Sequence, residues 1–192
     1  MDSPSLFPET LMARADFFID GQNFGIACRQ LLGSYVDVKG FARMAAKKFG
    51  MELGTTFFYD SPSLTPTVQR GQQRFWDALQ KTPGVTLRLG RREPNYDGTH
   101  REKDCDVMLA VDMVARAYEK KYERAILVGA DTDHAYAITV VQQLGLEVGW
   151  AYLSTQNHID RLRQLIPTDM RLELTEKILR PVRQQAISAW RR

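Results

Sequence analysis

"RAILVGADTDHAYAI", residues 124 to 138, passes from an unbroken apolar run to an amphipathic one across two aspartates, Asp131 and Asp133. The apolar half has the length and composition of a strand buried on both faces. The second half continues as "HAYAITVVQQLG", with helical spacing of its apolar residues and a stop at Gly145. A buried strand feeding a helix is half of a βαβ unit, and the rest of the chain repeats the theme.

Upstream, "DFFID" (16 to 20) is a short buried strand ending in a carboxylate, and "VDVKGFARMAAKKFG" is a helix stopped by Gly50. "TTFFYD" (55 to 60) is a second strand. Thr65 as N-cap and Pro66 at the first helical position open a helix that closes at Pro83 and Gly84. "VTLRLG" (85 to 90) alternates as a half-buried strand, and "REPNYDGT" after it has loop chemistry. In "DCDVMLAVDMVARAY" (104 to 118) Val107, Leu109, Ala110, Met113, Val114 and Ala117 share an arc of roughly 160° on a helical wheel. Downstream, "LEVGWAYL" is a fifth strand and "HIDRLRQLI" (158 to 166) is helix-like. Strands alternating with helices predict an α/β fold in which a mostly parallel five-stranded sheet carries helices on both faces.

Sites in such sheets gather at the carboxyl ends of the strands. Asp20 ends the first strand, and Asp131 and Asp133 follow the fourth. If those strands are neighbours, the three carboxylates meet at one edge. Asp106, at the start of the third helix, falls in the apolar arc and joins them; Asp104 and Asp112 fall outside it and read as a cap or as solvated side chains. Crowded carboxylates repel one another unless a cation intervenes. An all-oxygen donor set favours Mg²⁺ or Mn²⁺ over zinc, and Mg²⁺ works with phosphate oxygens, which points to phosphodiester chemistry. The plainer alternatives are that Asp131 or Asp133 is a helix N-cap and that Asp20 with Gly21 forms a turn. His100, His134 and His158 are scattered and form no nucleophilic triad.

Composition narrows the class further. With 192 residues, 44% hydrophobic and 26% charged, the chain suits one globular domain. No apolar run approaches the roughly 20 residues of a membrane span, and the acidic start "MDSPSLFPETLMARAD" is no secretory signal, so a cytoplasmic location without membrane contact is expected. Cys28 and Cys105 are unpaired in sequence and read as reduced thiols. Residues 161 to 192 carry a net +5 against −2 for the remainder, a basic tail able to meet a polyanion.

"FFIDGQNF", "REKDCDVMLAVDM" and "AILVGADTDHAYAI", in that order, resemble the three signature blocks of the NYN domain, a member of the PIN-like nuclease superfamily. The resemblance implies strand order 3-2-1-4-5, an acidic pocket at the carboxyl edge, and Mg²⁺- or Mn²⁺-dependent cleavage of RNA. It assigns catalytic and metal-binding roles to Asp20, Asp106, Asp131 and Asp133, with Asn23, Lys103 and Asp112 in support. Where the family carries a serine and a glycine before the last acid pair and an aromatic after it, this chain has Gly129, Ala130 and His134. His134 then reads as a helix-surface residue, with contact to the scissile phosphate as the alternative. The domain would span 16 to 166, preceded by an N-terminal extension (1 to 15) and followed by a basic tail (167 to 192) packing on or extending from it. Arg91, Arg92 and Arg101, in a basic loop with Tyr96, are candidate RNA contacts; a plain surface loop is the alternative. Single-stranded DNA stays open as a substrate, and so does a homo-oligomer. The alternative function is a noncatalytic RNA-binding regulatory module. A haloacid dehalogenase reading fails because its second aspartate is here Gln22.

Overall fold

The computed structural model describes residues 12–96, 100–153 and 159–183. Its strands are β1 (Arg14–Asp20), β2 (Glu52–Asp60), β3 (Val85–Leu89), β4 (Arg91–Pro94), β5 (His100–Lys103), β6 (Arg124–Val128), β7 (Glu147–Tyr152) and β8 (Arg171–Glu173). Its helices are α1 (Gly21–Leu32), α2 (Val38–Lys48), α3 (Pro66–Gln80), α4 (Cys105–Tyr118), α5 (Ala135–Gln143), α6 (Asp160–Leu165) and α7 (Glu176–Leu179).

Six strands form one sheet in the order β3-β2-β1-β6-β7-β8, and every neighbouring pair is parallel. The order expected for five strands is kept, and β8 extends it on the β7 edge. The sixth strand escapes sequence reading because "RLE" is too short to show a period. Along β1 the two-residue alternation sorts the core into its faces: Ala15, Phe17 and Ile19 pack beneath α1, α2 and α7, while Phe18 packs beneath α4, α5 and α6. β6 alternates likewise, with Ile126 and Val128 on the first face and Ala125 and Leu127 on the second. All of these residues are fully buried, each large one contributing about 1.5–3 kcal/mol of hydrophobic stabilisation.

Three segments differ from the sequence reading. Residues 21–32 are a helix rather than a turn, since Asp20 caps α1 directly and β1 passes into it with no loop. The expected loop after β3 is an antiparallel hairpin, β4 with β5, whose charged strands hide the alternation that marks a strand. On α4, Leu109, Met113 and Ala117 are buried as expected, but Val107 is 65% exposed and the Asp106 side chain 53% exposed. Cys105 in the same turn is buried in the core, so only the Asp106–Val107 side of the first turn projects from the sheet edge. Cys28 and Cys105 are buried and free. His158 and the end of the basic tail lie outside the described residues.

Candidate metal centre

The site is built where β1 and β6 end. Asp20 is extended in backbone and only 7% exposed; one carboxylate oxygen accepts the Asn23 backbone N–H at 3.0 Å, and the Asn23 side-chain amide donates to the other. The resulting cap fixes the carboxylate at the start of α1. Gly21 makes the sharp strand-to-helix passage feasible: a Cβ there would collide with the Tyr59 carbonyl and lie 2.6 Å from the Phe58 ring.

β6 lies beside β1 with Val128 opposite Ile19. Gly129 follows with φ +153, and a Cβ on it would come within 3.1 Å of the Asp20 Cβ. Glycine thus lets the two strand ends converge. The Trp150 indole N–H donates to the Gly129 carbonyl at 2.6 Å and anchors this bend. Asp131 then caps a single 3-10 turn, Thr132–His134, by accepting the Asp133 N–H at 2.9 Å.

That turn swings His134 inward, which corrects the expectation of a surface histidine. It is 1% exposed, its Nε2 has no hydrogen-bond partner, and that nitrogen lies 3.8 Å from an Asp106 carboxylate oxygen. Asp20, Asp106 and His134 each offer one donor atom, all within 4.8 Å of one another. Asp131 and Asp133, half-buried and exposed respectively, stand outside this tightest group, although their charges act on both Asp106 and His134.

Burial raises the Asp20 pKa to about 6, with the Asn23 bonds opposing and the charges of Asp106 and Glu102 adding. Burial likewise raises Asp106, opposed by His134 and reinforced by Asp131, Glu102 and Asp133. For His134 burial outweighs the three neighbouring acids and lowers the pKa, so the imidazole is neutral at neutral pH. Two carboxylates and a neutral imidazole with an unused buried nitrogen form a donor set that a divalent cation satisfies; a purely structural histidine would bond that nitrogen within the fold. The residues fit such an ion.

The remaining candidates are dispersed. Asp112 lies six residues along α4 from Asp106, a rise of about 9 Å, and is held by the Tyr59 hydroxyl at 3.0 Å and Arg88 Nε at 3.1 Å. Lys103 ends β5 opposite Arg91. Arg91 is exposed and shared between Glu93 (3.1 Å) and Asp104 (3.3 Å). Arg101 is exposed on β5, whereas Arg92 is half-buried. Sequence reading missed Glu102, whose charge reaches Asp20, Asp106 and Asp60. Its only signal was an acid two residues before Asp104 and four before Asp106.

The parallel α/β sheet with its acidic carboxyl edge has the architecture of a PIN-like domain. The chain belongs to the NYN domain family, whose description matches residues 14–165. Among solved structures, a protein of unknown function from Vibrio parahaemolyticus, VPA0982, superposes with a TM-score of 0.64 at 20% identity, covering 87% of this chain and 95% of that one. This likeness concerns the fold alone. The nicotinamidase SaPncA from Staphylococcus aureus aligns at a TM-score of only 0.41 and 14% identity over 85% of this chain and 99% of that one. No curated protein matches the sequence. Among the described residues, no helix is long and apolar enough to cross a membrane.

Proposed function

We propose that this chain is a divalent-metal-dependent ribonuclease that hydrolyses RNA phosphodiester bonds at the edge formed by Asp20, Asp106, Asp131 and Asp133. The observation that carries the reading is the approach of Asp20, Asp106 and His134 to within 4.8 Å at the ends of adjacent parallel strands in a PIN-like domain. Membership of the NYN family supports the choice of a nucleic acid as substrate.

Asp20 and Asp106 would hold the ion, with His134 completing the set. The imidazole favours Mn²⁺ over Mg²⁺, because nitrogen donors suit transition metals better than magnesium. When bound, the ion neutralises charge on the phosphodiester and makes a water more acidic. Asn23 keeps the Asp20 carboxylate oriented. Asp131 and Asp133, at the accessible rim, would accept hydrogen bonds from the attacking water, one of them taking its proton as the P–O bond to the leaving oxygen breaks, and that oxygen would take a proton from solvent water. Lys103 and the hairpin arginines offset the charge of the RNA backbone. The cell interior is the setting this substrate implies.

The test is incubation of labelled RNA and single-stranded DNA with the protein in Mg²⁺, Mn²⁺ or EDTA, with Asp20→Asn alongside. Metal-dependent cutting lost in the variant supports the reading. Salt-sensitive retention of RNA without cutting would replace it with a noncatalytic RNA-binding module.

A further inference from the structure

A cavity of about 400 Å³ adjoins the acidic cluster on the α3 side of the sheet. Its wall includes Gly21 and Gln22, the residues that follow Asp20, and Glu102, whose charge reaches Asp20 and Asp106. The cavity thus borders the proposed cleavage site through these residues, although Asp20, Asp106 and His134 do not line it, and its volume lies in the range of small-ligand pockets.

One side of it is aromatic. Phe75 packs against Tyr35 with centroids 5.7 Å apart and against the edge of Phe58 at 5.5 Å. The other side is polar, but most of its groups are already committed. Gln72 accepts from the Ser63 N–H at 2.7 Å and donates to Asp60 at 3.0 Å and to the Ser61 carbonyl at 2.8 Å. Asp60 also accepts from the Ser61 N–H at 2.9 Å and from the Trp76 indole at 2.8 Å. These two residues shape the wall and have little left to offer a ligand.

Arg92 differs, and Glu102 is committed only in part, accepting from the Ser61 hydroxyl through one carboxylate oxygen. They face each other in register across β4 and β5, and both line the cavity, yet no ion pair joins them among the described residues. The Arg92 Nε is buried with no hydrogen-bond partner. A buried, unmet guanidinium N–H is costly unless an acceptor arrives. A donor and a carboxylate acceptor side by side, set at the edge of an aromatic-walled slot, match the donor–acceptor edge and flat face of a nucleobase.

We infer that this cavity takes one unpaired base of the substrate strand, stacked against the Phe75 wall with its polar edge toward Arg92 and Glu102. The inference rests on the ribonuclease reading for the polymer that delivers the base. It makes the enzyme selective for single-stranded RNA, since a paired base cannot enter.

The experiment measures anisotropy of short labelled single-stranded RNAs in EDTA, each lacking the base at one position, with parent protein and with Val68→Trp. Val68 lines the cavity and is 48% exposed on α3, so the bulky replacement plugs the slot without entering the core; a thermal melt checks the fold. Removing the base at one fixed position should weaken parent binding about tenfold or more while removal elsewhere does little, and Val68→Trp should bind intact RNA as poorly and lose the positional dependence. Uniform binding of all the abasic strands, parent-like binding by Val68→Trp, or no retention of RNA overturns the inference. The same strands in Mn²⁺ separate the two claims: positional binding without cutting sinks the nuclease and keeps the base pocket, and cutting without positional dependence does the reverse.

Discussion

The His134 Nε2 lies 3.8 Å from an Asp106 carboxylate oxygen, and the pair straddles the solvent boundary, with the histidine side chain 1% exposed and the aspartate 53%. A histidine in that position faces a carboxylate without bonding it, and it is too buried to reach water. An ion shared between the two would satisfy both. Replacing the ring with an apolar one of similar size, His134→Phe, keeps the packing and removes the nitrogen. Mn²⁺ affinity, followed by titration calorimetry, should fall by at least the about 10–100-fold seen when a site loses a group that merely supports a ligand, while the melting temperature in EDTA holds. Parent-like Mn²⁺ binding by the variant would reduce His134 to a core residue.

Asp20 makes a complementary prediction about stability. Its pKa is raised from 3.8 to about 6 in the metal-free fold, chiefly by burial. The folded chain therefore holds that proton more tightly than the unfolded chain. Stability is relatively favoured below the unfolded pKa, declines as pH rises from about 4 toward 6, and carries the full cost of a buried charge above that. A shift of this size corresponds to on the order of 3 kcal/mol. Asp20→Asn keeps one acceptor oxygen, enough for the Asn23 backbone N–H, and abolishes the charge, so in EDTA at pH 7.5 it should resist urea better than the parent, and the advantage should vanish by pH 4. Added Mn²⁺ should reverse the ranking by stabilising only the parent. A variant less stable than the parent at pH 7.5 in EDTA would contradict this account.

Much of this site was legible because carboxylates at strand ends stand out against apolar runs, as Asp20 and Asp131 do. What stayed hidden depended on local geometry. Whether His134 lies on a surface or inside turns on one 3-10 turn capped by Asp131, and a helix read as starting at His134 itself leaves no room for that turn. The helical wheel misled for Asp106, since it gives the angular face of a residue but not whether that side of the first turn still lies over the sheet. α1 was missed because Gly21, Asn23 and Gly25 weaken helix propensity where the chain leaves β1, although Asp20 and tertiary packing of Phe24 and Cys28 override them. The charged hairpin strands gave no alternation to read, and so Glu102 was left unplaced.

Far from the site in chemistry, Asp16 is fully buried on β1, paired with Arg116 and accepting the Thr55 N–H at 2.6 Å. The Arg116 guanidinium also lies over the Phe57 ring, 4.7 Å from its centroid. Removing one partner strands a charge in the core, a loss of about 3–5 kcal/mol. Arg116→Met should lower the urea midpoint accordingly, yet leave Mn²⁺ affinity of the folded fraction unchanged, because this pair braces β1 against β2 and α4 and touches none of the donor atoms. A midpoint within experimental error of the parent would show that the pair is replaceable by apolar packing.

The hairpin supplies the last prediction, because its arginines are not equivalent. Arg91 is already shared between Glu93 and Asp104, so much of its charge is spent within the protein. Arg101 is exposed on the neighbouring strand. If β4 and β5 track the RNA backbone, each phosphate contact adds about 0.7 to the slope of log affinity against log salt for a single strand. Arg101→Ala should flatten that slope by close to one contact, and Arg91→Ala by less, since RNA must compete with two carboxylates for it. Binding isotherms in EDTA across a salt series measure both. Equal, undiminished slopes in the two variants would remove the hairpin surface from the path of the RNA, leaving Arg92 in the base cavity as the hairpin's remaining contact with substrate.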